Sequence, residues 1–261
     1  MPSVESAGAR LYYEAQGEGP AVVLAHGRGG NTASWWQQLP HFAAKHRVIV
    51  FDHRTFGRST GGGDAFTQRQ LADDIVALLD AEGIDQAALV CQSMGGWSGL
   101  GAAVWHPGRV SCLVLTSTTG GLFPESARAQ LEALREGRLS GPAIPYQALA
   151  ETYPGREPGL AWLYAQIHGL NVNFDGRNML ALLQPKNGLD PALLKGFAIP
   201  TLVIAAEHDR IFPPATLQAV AEMIPGAELV NFAGAGHSPY WELPTVYNEL
   251  VDGFLRRHLS Y

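Results

Sequence analysis

Cysteine is scarce in this chain. Cys91 and Cys112 are the two in 261 residues, and both lie inside apolar, strand-like runs. That placement is expected of reduced, buried thiols in a cytoplasmic protein, not of a disulfide framework. Basic clusters are missing as well, and with a net charge of −6 the chain offers nucleic acid no footprint. Residues 1–19 are polar, and no apolar run approaches membrane-spanning length, so neither a signal peptide nor a membrane partner is expected. The sequence contains no H-E-x-x-H, no cysteine cluster and no dense carboxylate group suited to a metal. It also lacks the G-x-x-x-x-G-K-[ST] and G-x-G-x-x-G loops that cradle phosphates. No fixed-period repeat or low-complexity stretch interrupts it.

What the chain does have is apolar mass: 46% of its residues are hydrophobic, ample for one large core or for a core with a lid. Short continuous apolar runs recur at Ala21–Ala25, Arg47–Asp52, Ala87–Gln92, Val110–Leu115, Thr201–Ala206 and Ala227–Phe232, after a short strand near Leu11–Glu14. Continuous runs of this kind suit strands buried on both faces, and helical patterns separate them. Gln70–Asp80 places Leu71, Ile75, Leu78 and Leu79 at helical spacing, with Asp73, Asp74 and Asp80 expected to face out. The expected fold class is therefore α/β, a mostly parallel sheet covered by helices on both faces. From Gly120 to Gly196 no buried-strand run occurs. Helix-like pieces at 125–136, 146–152, 160–168 and 177–183 predict a helical lid over 120–196, inserted into a core made of 1–119 and 197–261. A C-terminal helix over 244–259 is expected to bury Val246, Leu250 and Phe254.

The stretch Ala87-Ala88-Leu89-Val90-Cys91-Gln92-Ser93-Met94-Gly95-Gly96-Trp97 has the layout of a nucleophile elbow, in which a strand turns sharply on a Ser into a helix. The turn aims the Ser oxygen and the Met94 backbone N–H at one point. Small neighbours are needed where helix and strand nearly touch, and Gly95 and Gly96 supply them. Cys91 departs from the usual G-x-S-x-G. Taken alone, Ser93 could equally be an ordinary turn residue. However, Asp209 follows the strand ending at Ala206, and His237 follows the last strand, both at the carboxyl edge of the expected sheet. The order Ser, Asp, His is that of hydrolases built on such a sheet. Asp209 could instead cap the next helix, with Glu207 as a substitute acid, and His237 competes with His26 and His53.

Five motifs carry a resemblance: His26-Gly27-Arg28-Gly29-Gly30, Asp52-His53-Arg54 with Gly57-Arg58-Ser59, Ser93-Met94-Gly95-Gly96, Glu207-His208-Asp209 and Gly236-His237-Ser238. In this order and over essentially the whole length, the chain resembles the α/β-hydrolase superfamily. The resemblance is to its lid-bearing esterases, enol-lactonases, cofactor-free haloperoxidases and C–C hydrolases. The resemblance implies Ser93 as nucleophile, His237 as general base and then acid, Asp209 as its orienter, and the backbone N–H groups of Arg28 and Met94 as the oxyanion hole. His26 would be structural, while His53, His168 and His208 would be ordinary surface or loop histidines. Where the family's turn reads D-x-R-G-x-G-x-S, this chain has Thr55-Phe56 in place of the first Gly and its neighbour.

A Ser at the elbow argues against the carboxylate nucleophile of haloalkane dehalogenases and epoxide hydrolases. The expected reaction is acyl transfer from a small-molecule ester or lactone to water, with no metal or cofactor. Trp35, Trp97, Phe123, Trp162, Tyr164 and Tyr240 are candidates for an apolar pocket wall, with core packing the alternative for each. The Arg28 guanidinium is expected either to meet a substrate carboxylate or to point to solvent or a neighbouring acid. Perhydrolysis, hydroxynitrile cleavage or C–C hydrolysis on the same triad are rival reactions, with Lys186 and Lys195 as candidate lid lysines. A ligand sensor on a hydrolase scaffold is the non-enzymatic alternative.

Overall fold

Buried apolar runs side by side satisfy their backbone hydrogen bonds only by pairing with one another, and here they do so in parallel. A computed structural model describes residues 2–61, 66–136, 144–172, 174 and 182–259. Its strands are β1 (Ser3–Ser6), β2 (Ala9–Gln16), β3 (Ala21–Ala25), β4 (Arg47–Phe51), β5 (Thr60–Gly61), β6 (Ala87–Gln92), β7 (Val110–Thr116), β8 (Thr201–Ala206) and β9 (Glu228–Phe232). They form one sheet in the order β1-β2-β4-β3-β6-β7-β8-β9, with β5 beside β2. From β4 to β9 every pairing is parallel, while β1 and β2 run antiparallel at one edge.

Every residue of β3 and β6 is buried. Successive side chains point to opposite faces, so each strand feeds two cores. Val23, Ile49, Leu89, Cys91, Leu113 and Val203 pack one way, under α2 (Gln68–Ala81), α3 (Gly95–Trp105) and the helix Pro214–Met223. Val22, Leu24, Val48, Val50, Val90, Val114 and Ile204 pack the other way, with Phe42 of α1 (Leu39–Ala43) and the C-terminal helix Pro244–His258. The face that this last helix buries is Tyr247, Val251, Phe254 and Leu255. Val246, expected inside, is 55% exposed, and Leu250 is packed only in part.

Asp74 corrects a second expectation. It is fully buried and takes Arg54 in a two-point ion pair, Nε to Oδ2 at 2.8 Å and Nη2 to Oδ1 at 2.6 Å, while Ser6 Oγ donates to Oδ1 at 2.6 Å. The reason lies in the helical period: 71, 74, 75 and 78 share one face, so Asp74 points inward with Leu71 and Ile75. Asp73 and Asp80 do lie outside, with Arg69, His106 and Arg109. The buried pair fastens β1, the loop after β4, and α2 together.

Between β7 and β8 the described residues carry helices α4 (Glu125–Arg135), α5 (Ile144–Gln147), α6 (Tyr153–Arg156) and α7 (Pro158–Gly169), and two 3-10 turns. The helix expected over 146–152 is not continuous: α5 ends at Gln147 and a new helix starts at Tyr153, with Pro154 in its first turn, where its missing N–H costs no helical hydrogen bond. Most of the helix expected over 177–183 lies outside the described residues. Among the described residues no helix is long and apolar enough to cross a membrane. The remaining helices are α8 (Pro214–Met223), α9 (Pro239–Glu242) and α10 (Pro244–His258).

From β3 the chain steps to β4 on one side and later to β6 on the other, so the strand order reverses between β3 and β6. Open parallel sheets form their ligand crevice at the carboxyl ends on either side of such a reversal. The loops after β3 and β6 are the ones carrying Gly27-Arg28 and Ser93.

Removing one partner from a buried ion pair strands the other charge, at a cost of about 3–5 kcal/mol, whereas exposed pairs contribute about 1 or less. Asp74→Ala is therefore expected to lower the unfolding free energy in urea by about 3–5 kcal/mol, and Asp73→Ala by about 1 or less. Equal losses would contradict the assignment of Arg54–Asp74 as the inner tie.

Candidate active site

β6 ends in a residue with strained backbone. Ser93 has φ 49°, a left-handed conformation, and its N–H donates to the Thr116 carbonyl of neighbouring β7 at 2.9 Å. The chain then enters α3 at once, with Gly96 N–H on the Ser93 carbonyl (2.9 Å) and Trp97 N–H on that of Met94 (3.0 Å). Helix and sheet approach so closely that a Cβ at Gly95 would strike the Ala25 carbonyl of β3. Cys91, where the usual pattern has Gly, is accommodated from the other side. Its Sγ lies where a Cβ on Gly99 would be, so a glycine one turn into α3 makes room for the thiol. Burial pushes that thiol's pKa far up, which keeps it protonated and inert.

Three side chains from three loops meet at this elbow. His237 Nε2 lies 2.8 Å from Ser93 Oγ, and its Nδ1 lies 2.8 Å from Asp209 Oδ2. Asp209 cannot swing, because its other oxygen accepts from the backbone N–H groups of Ile211 and Phe212, both at 2.8 Å. Asp209 thus both shapes its own loop and holds the histidine. Glu207 is exposed and caps Gly234 N–H instead. With a carboxylate at Nδ1, that nitrogen carries the proton and Nε2 offers its lone pair to the serine hydroxyl.

The loop after β3 supplies the opposite wall. Gly30 N–H closes a turn on the Gly27 carbonyl at 3.0 Å, with Gly29 at φ 82°, as a type II turn requires. A Cβ at Gly27 would sit 2.9 Å from the Ser93 Cβ, so this turn abuts the elbow. Neither Arg28 N–H nor Met94 N–H has a protein acceptor among the described residues. His26 is buried beneath the turn, with Nδ1 2.8 Å from the Gly27 carbonyl and Nε2 accepting from His53 N–H at 3.0 Å. Both contacts suit one neutral tautomer, and burial brings the His26 pKa down to about 4. His53, expected to be an ordinary surface or loop histidine, lies in the loop after β4 but is fully buried there against His26 and Phe51. His208 is exposed, and His168 is half-buried beside Gly29.

Thr55 occupies the family's first Gly of the β4 turn and retains glycine's backbone, at φ 73°. A branched residue there stores strain of about 1–3 kcal/mol. Phe56 is buried against His26 (5.3 Å between rings) and Phe174 (4.4 Å).

Of the residues expected to line a pocket, Tyr240 and Tyr164 border a small cavity together with Gly27, Arg28, Ser34, Gln92 and His168. Trp35 and Trp97 instead fill the two cores, Trp35 against Tyr240 at 4.7 Å. Phe123 packs beside Gly188, and Trp162 is 59% exposed on the outer side of α7. Aromatic residue type alone does not separate a wall from a core. Lys186 and Lys195 are exposed.

Several positioning residues carry no motif. Gln92 Nε2 donates to the His237 carbonyl at 3.0 Å, tying the two loops together, and Tyr164 OH shares a hydrogen bond with Ser238 Oγ at 2.8 Å. Asn171 Nδ2 donates to the Gly29 carbonyl (2.7 Å) while its Oδ1 accepts from Gly57 N–H (2.8 Å). Glu242 of α9 accepts from Gly236 N–H at 2.9 Å and Ala150 N–H at 3.0 Å. A polar residue ending an otherwise apolar strand, as Gln92 does, is the one available signal. Among the described residues no three of His, Cys, Asp or Glu gather in a way that could hold a metal ion.

An elbow serine at a strand-order reversal, with a histidine and an acid from later loops, is the layout of one class of enzyme. The chain matches the alpha/beta hydrolase family over residues 22–250 and belongs to it. A putative carbamate hydrolase, RutD, of Variovorax paradoxus (strain S110) is 33% identical over 260 residues, spanning 95% of this chain and 96% of its own. Among solved structures, Est816, described as an N-acyl homoserine lactone degrading enzyme, superposes with a TM-score of 0.82 at 31% identity, covering 97% of this chain and all (100%) of that one. The enol-lactonase from Burkholderia xenovorans LB400 gives a TM-score of 0.80 at 26% identity, covering 98% and 100%.

Glu242 makes the His237 loop sensitive to pH. Burial is the dominant influence and pushes its carboxyl up to about 7 from an ordinary 4.5, despite the backbone N–H groups it accepts from. The folded protein thus binds this proton more tightly than the unfolded chain. Its contribution to stability is present below about pH 4.5 and lost as pH rises toward 7. Glu242→Gln is expected to gain stability relative to the wild type between pH 5 and pH 8 in paired urea titrations. A difference that does not change with pH would contradict this.

Proposed function

We propose that the chain hydrolyses a carboxylic ester or lactone through an acyl-enzyme on Ser93. The observation that carries this reading is the unbroken chain of 2.8 Å contacts from Ser93 Oγ through His237 to an Asp209 locked by two backbone N–H groups. A serine hydroxyl is a poor nucleophile until a base takes its proton, and a base serves only in the right tautomer. Asp209 fixes that tautomer. Ser93 Oγ attacks the substrate carbonyl while its proton passes to His237 Nε2. The carbonyl oxygen, now an oxyanion, takes hydrogen bonds from the backbone N–H groups of Arg28 and Met94. His237 then protonates the leaving oxygen, and the acyl-enzyme forms. Water attacks it with His237 again as base, which releases the acid and frees Ser93.

In this reading residues 120–196 act as a cap over the site and the remaining chain as its core. Tyr164 on Ser238, Asn171 on Gly29 and Asn31 Nδ2 on the Ile167 carbonyl are the ties between them. Carbamate cleavage is a second reading, favoured by the name of the 33% identical relative. It needs the same groups, with a carbamoyl-enzyme in place of the acyl-enzyme. The C–C hydrolase and lyase readings lose their candidate lysines, since Lys186 and Lys195 are both exposed.

Loss of a triad member typically costs several orders of magnitude in rate. Against p-nitrophenyl esters of increasing acyl length, simple lactones and an aryl carbamate, Ser93→Ala is expected to lower kcat/KM by about 10³-fold or more. The best substrate of the series reports which reading holds. Equal, near-background rates in both proteins would overturn acyl transfer on Ser93.

A further inference from the structure

Arg28 is out of place electrostatically. Its side chain is half-buried, and its Nε is shut off from solvent with no hydrogen-bond partner among the described residues. The nearest thing to a partner is the Phe174 ring, 5.6 Å from the guanidinium carbon. Other arginines withdrawn from solvent behave differently: Arg47 pairs with Glu82 at 2.6 Å, Arg54 with Asp74 at 2.6 Å and Arg109 with Asp80 at 2.7 Å. Among the described residues Arg28 has no such acid. Burial accordingly disfavours its charge, and its field in turn helps keep His168 neutral. A charge drawn partly out of water without a counter-ion carries part of the desolvation cost, and a ligand of opposite charge relieves it.

Its position says what that something is. Arg28 is the second residue of the turn that abuts Ser93, and the small cavity it borders is lined also by Gly27 and by Gln92, the residue before the serine. The other polar side chains around this cavity are Ser34, Gln92, Tyr164, Tyr240 and His168, which offer hydrogen bonds but bring no negative charge. A planar fork of donors in a small enclosure suits a planar monoanion better than a bulky, dianionic phosphate.

We propose that Arg28 is a specificity residue that pairs with a carboxylate on the substrate, so that the preferred substrate is an ester or lactone carrying a free carboxylate a few bonds from the scissile carbonyl. This rests on the acyl-transfer reading given above. It also gives one residue two tasks: its N–H faces the oxyanion, and its guanidinium fixes the far end of the same molecule. The carboxylate completes a pair that the described residues leave open.

The test uses matched substrates: the mono-p-nitrophenyl esters of glutaric, adipic and pimelic acid against their methyl-capped, neutral counterparts. The wild type is expected to favour at least one charged ester over its neutral partner. Arg28→Met is expected to cut that charged-to-neutral kcat/KM ratio by about 10- to 100-fold, mostly through KM, with Arg28→Lys intermediate. Calorimetric titration with glutarate, adipate and pimelate gives a readout independent of turnover, and Arg28→Met is expected to weaken the tightest of them by about 10-fold or more. Should Arg28→Met fail to fold, Arg28→Gln takes its place in both assays. An unchanged ratio together with unchanged diacid binding would overturn the proposal, as would equal losses on charged and neutral esters with unchanged diacid binding. No hydrolysis of any ester, but diacid binding that depends on Arg28, would refute acyl transfer and leave the carboxylate site standing.

Discussion

The left-handed backbone at Ser93 costs strain of about 1–3 kcal/mol, and the rest of the structure is arranged to hold it. Its N–H is anchored to β7, its carbonyl is taken by the first turn of α3, and α3 itself is pressed against the end of β3 at Gly95. Side chains have no room where α3 meets its neighbours: a Cβ at Gly95 would meet the Ala25 carbonyl, at Gly96 the Thr118 side chain and at Gly99 the Cys91 Sγ, and the last of these glycines lets Cys91 stand where the family usually has glycine. The strain is a consequence of packing, because once strand and helix are docked this closely the connecting residue has no other conformation.

With the elbow fixed, the remaining geometry is a matter of bringing two distant loops to it. Asp209 shapes its loop through Ile211 and Phe212 and is left with one oxygen for His237. Gln92, adjacent to Ser93, holds the His237 carbonyl, so the residue before the serine helps to set the histidine. Glu242 and Ser238 extend these ties to Ala150 and Tyr164 in the β7–β8 segment. Rotational freedom is removed at each contact, which is what a reaction depending on sub-ångström alignment requires.

The sheet was legible because its central strands are continuous apolar runs, a pattern that few other structures tolerate. The positions of Ser93, Asp209 and His237 were legible for a related reason, each following such a run in a glycine-bearing or polar loop. Asp74 was misjudged although its spacing from Leu71 and Ile75 placed it inward, since an acid on a helix reads as solvated until its arginine is located. Thr55 and Cys91 looked like departures from pattern, and their accommodation by positive φ and by Gly99 depends on contacts far apart in sequence. Trp35, Trp97 and Trp162 could not be sorted into wall, core and surface, because large aromatics serve all three. β1 is short and half-exposed and carries no apolar run to announce it.

The central claim is that one serine hydroxyl, Ser93, is activated by its neighbours. Covalent capture tests it directly. Exposure to a p-nitrophenyl alkylphosphonate, followed by intact-mass and peptide mapping, is predicted to give one phosphonyl adduct located on Ser93. His237→Ala should slow its formation by orders of magnitude, since the hydroxyl then has no base. An adduct on another residue, or labelling of Ser93 at the same rate without His237, would contradict the account.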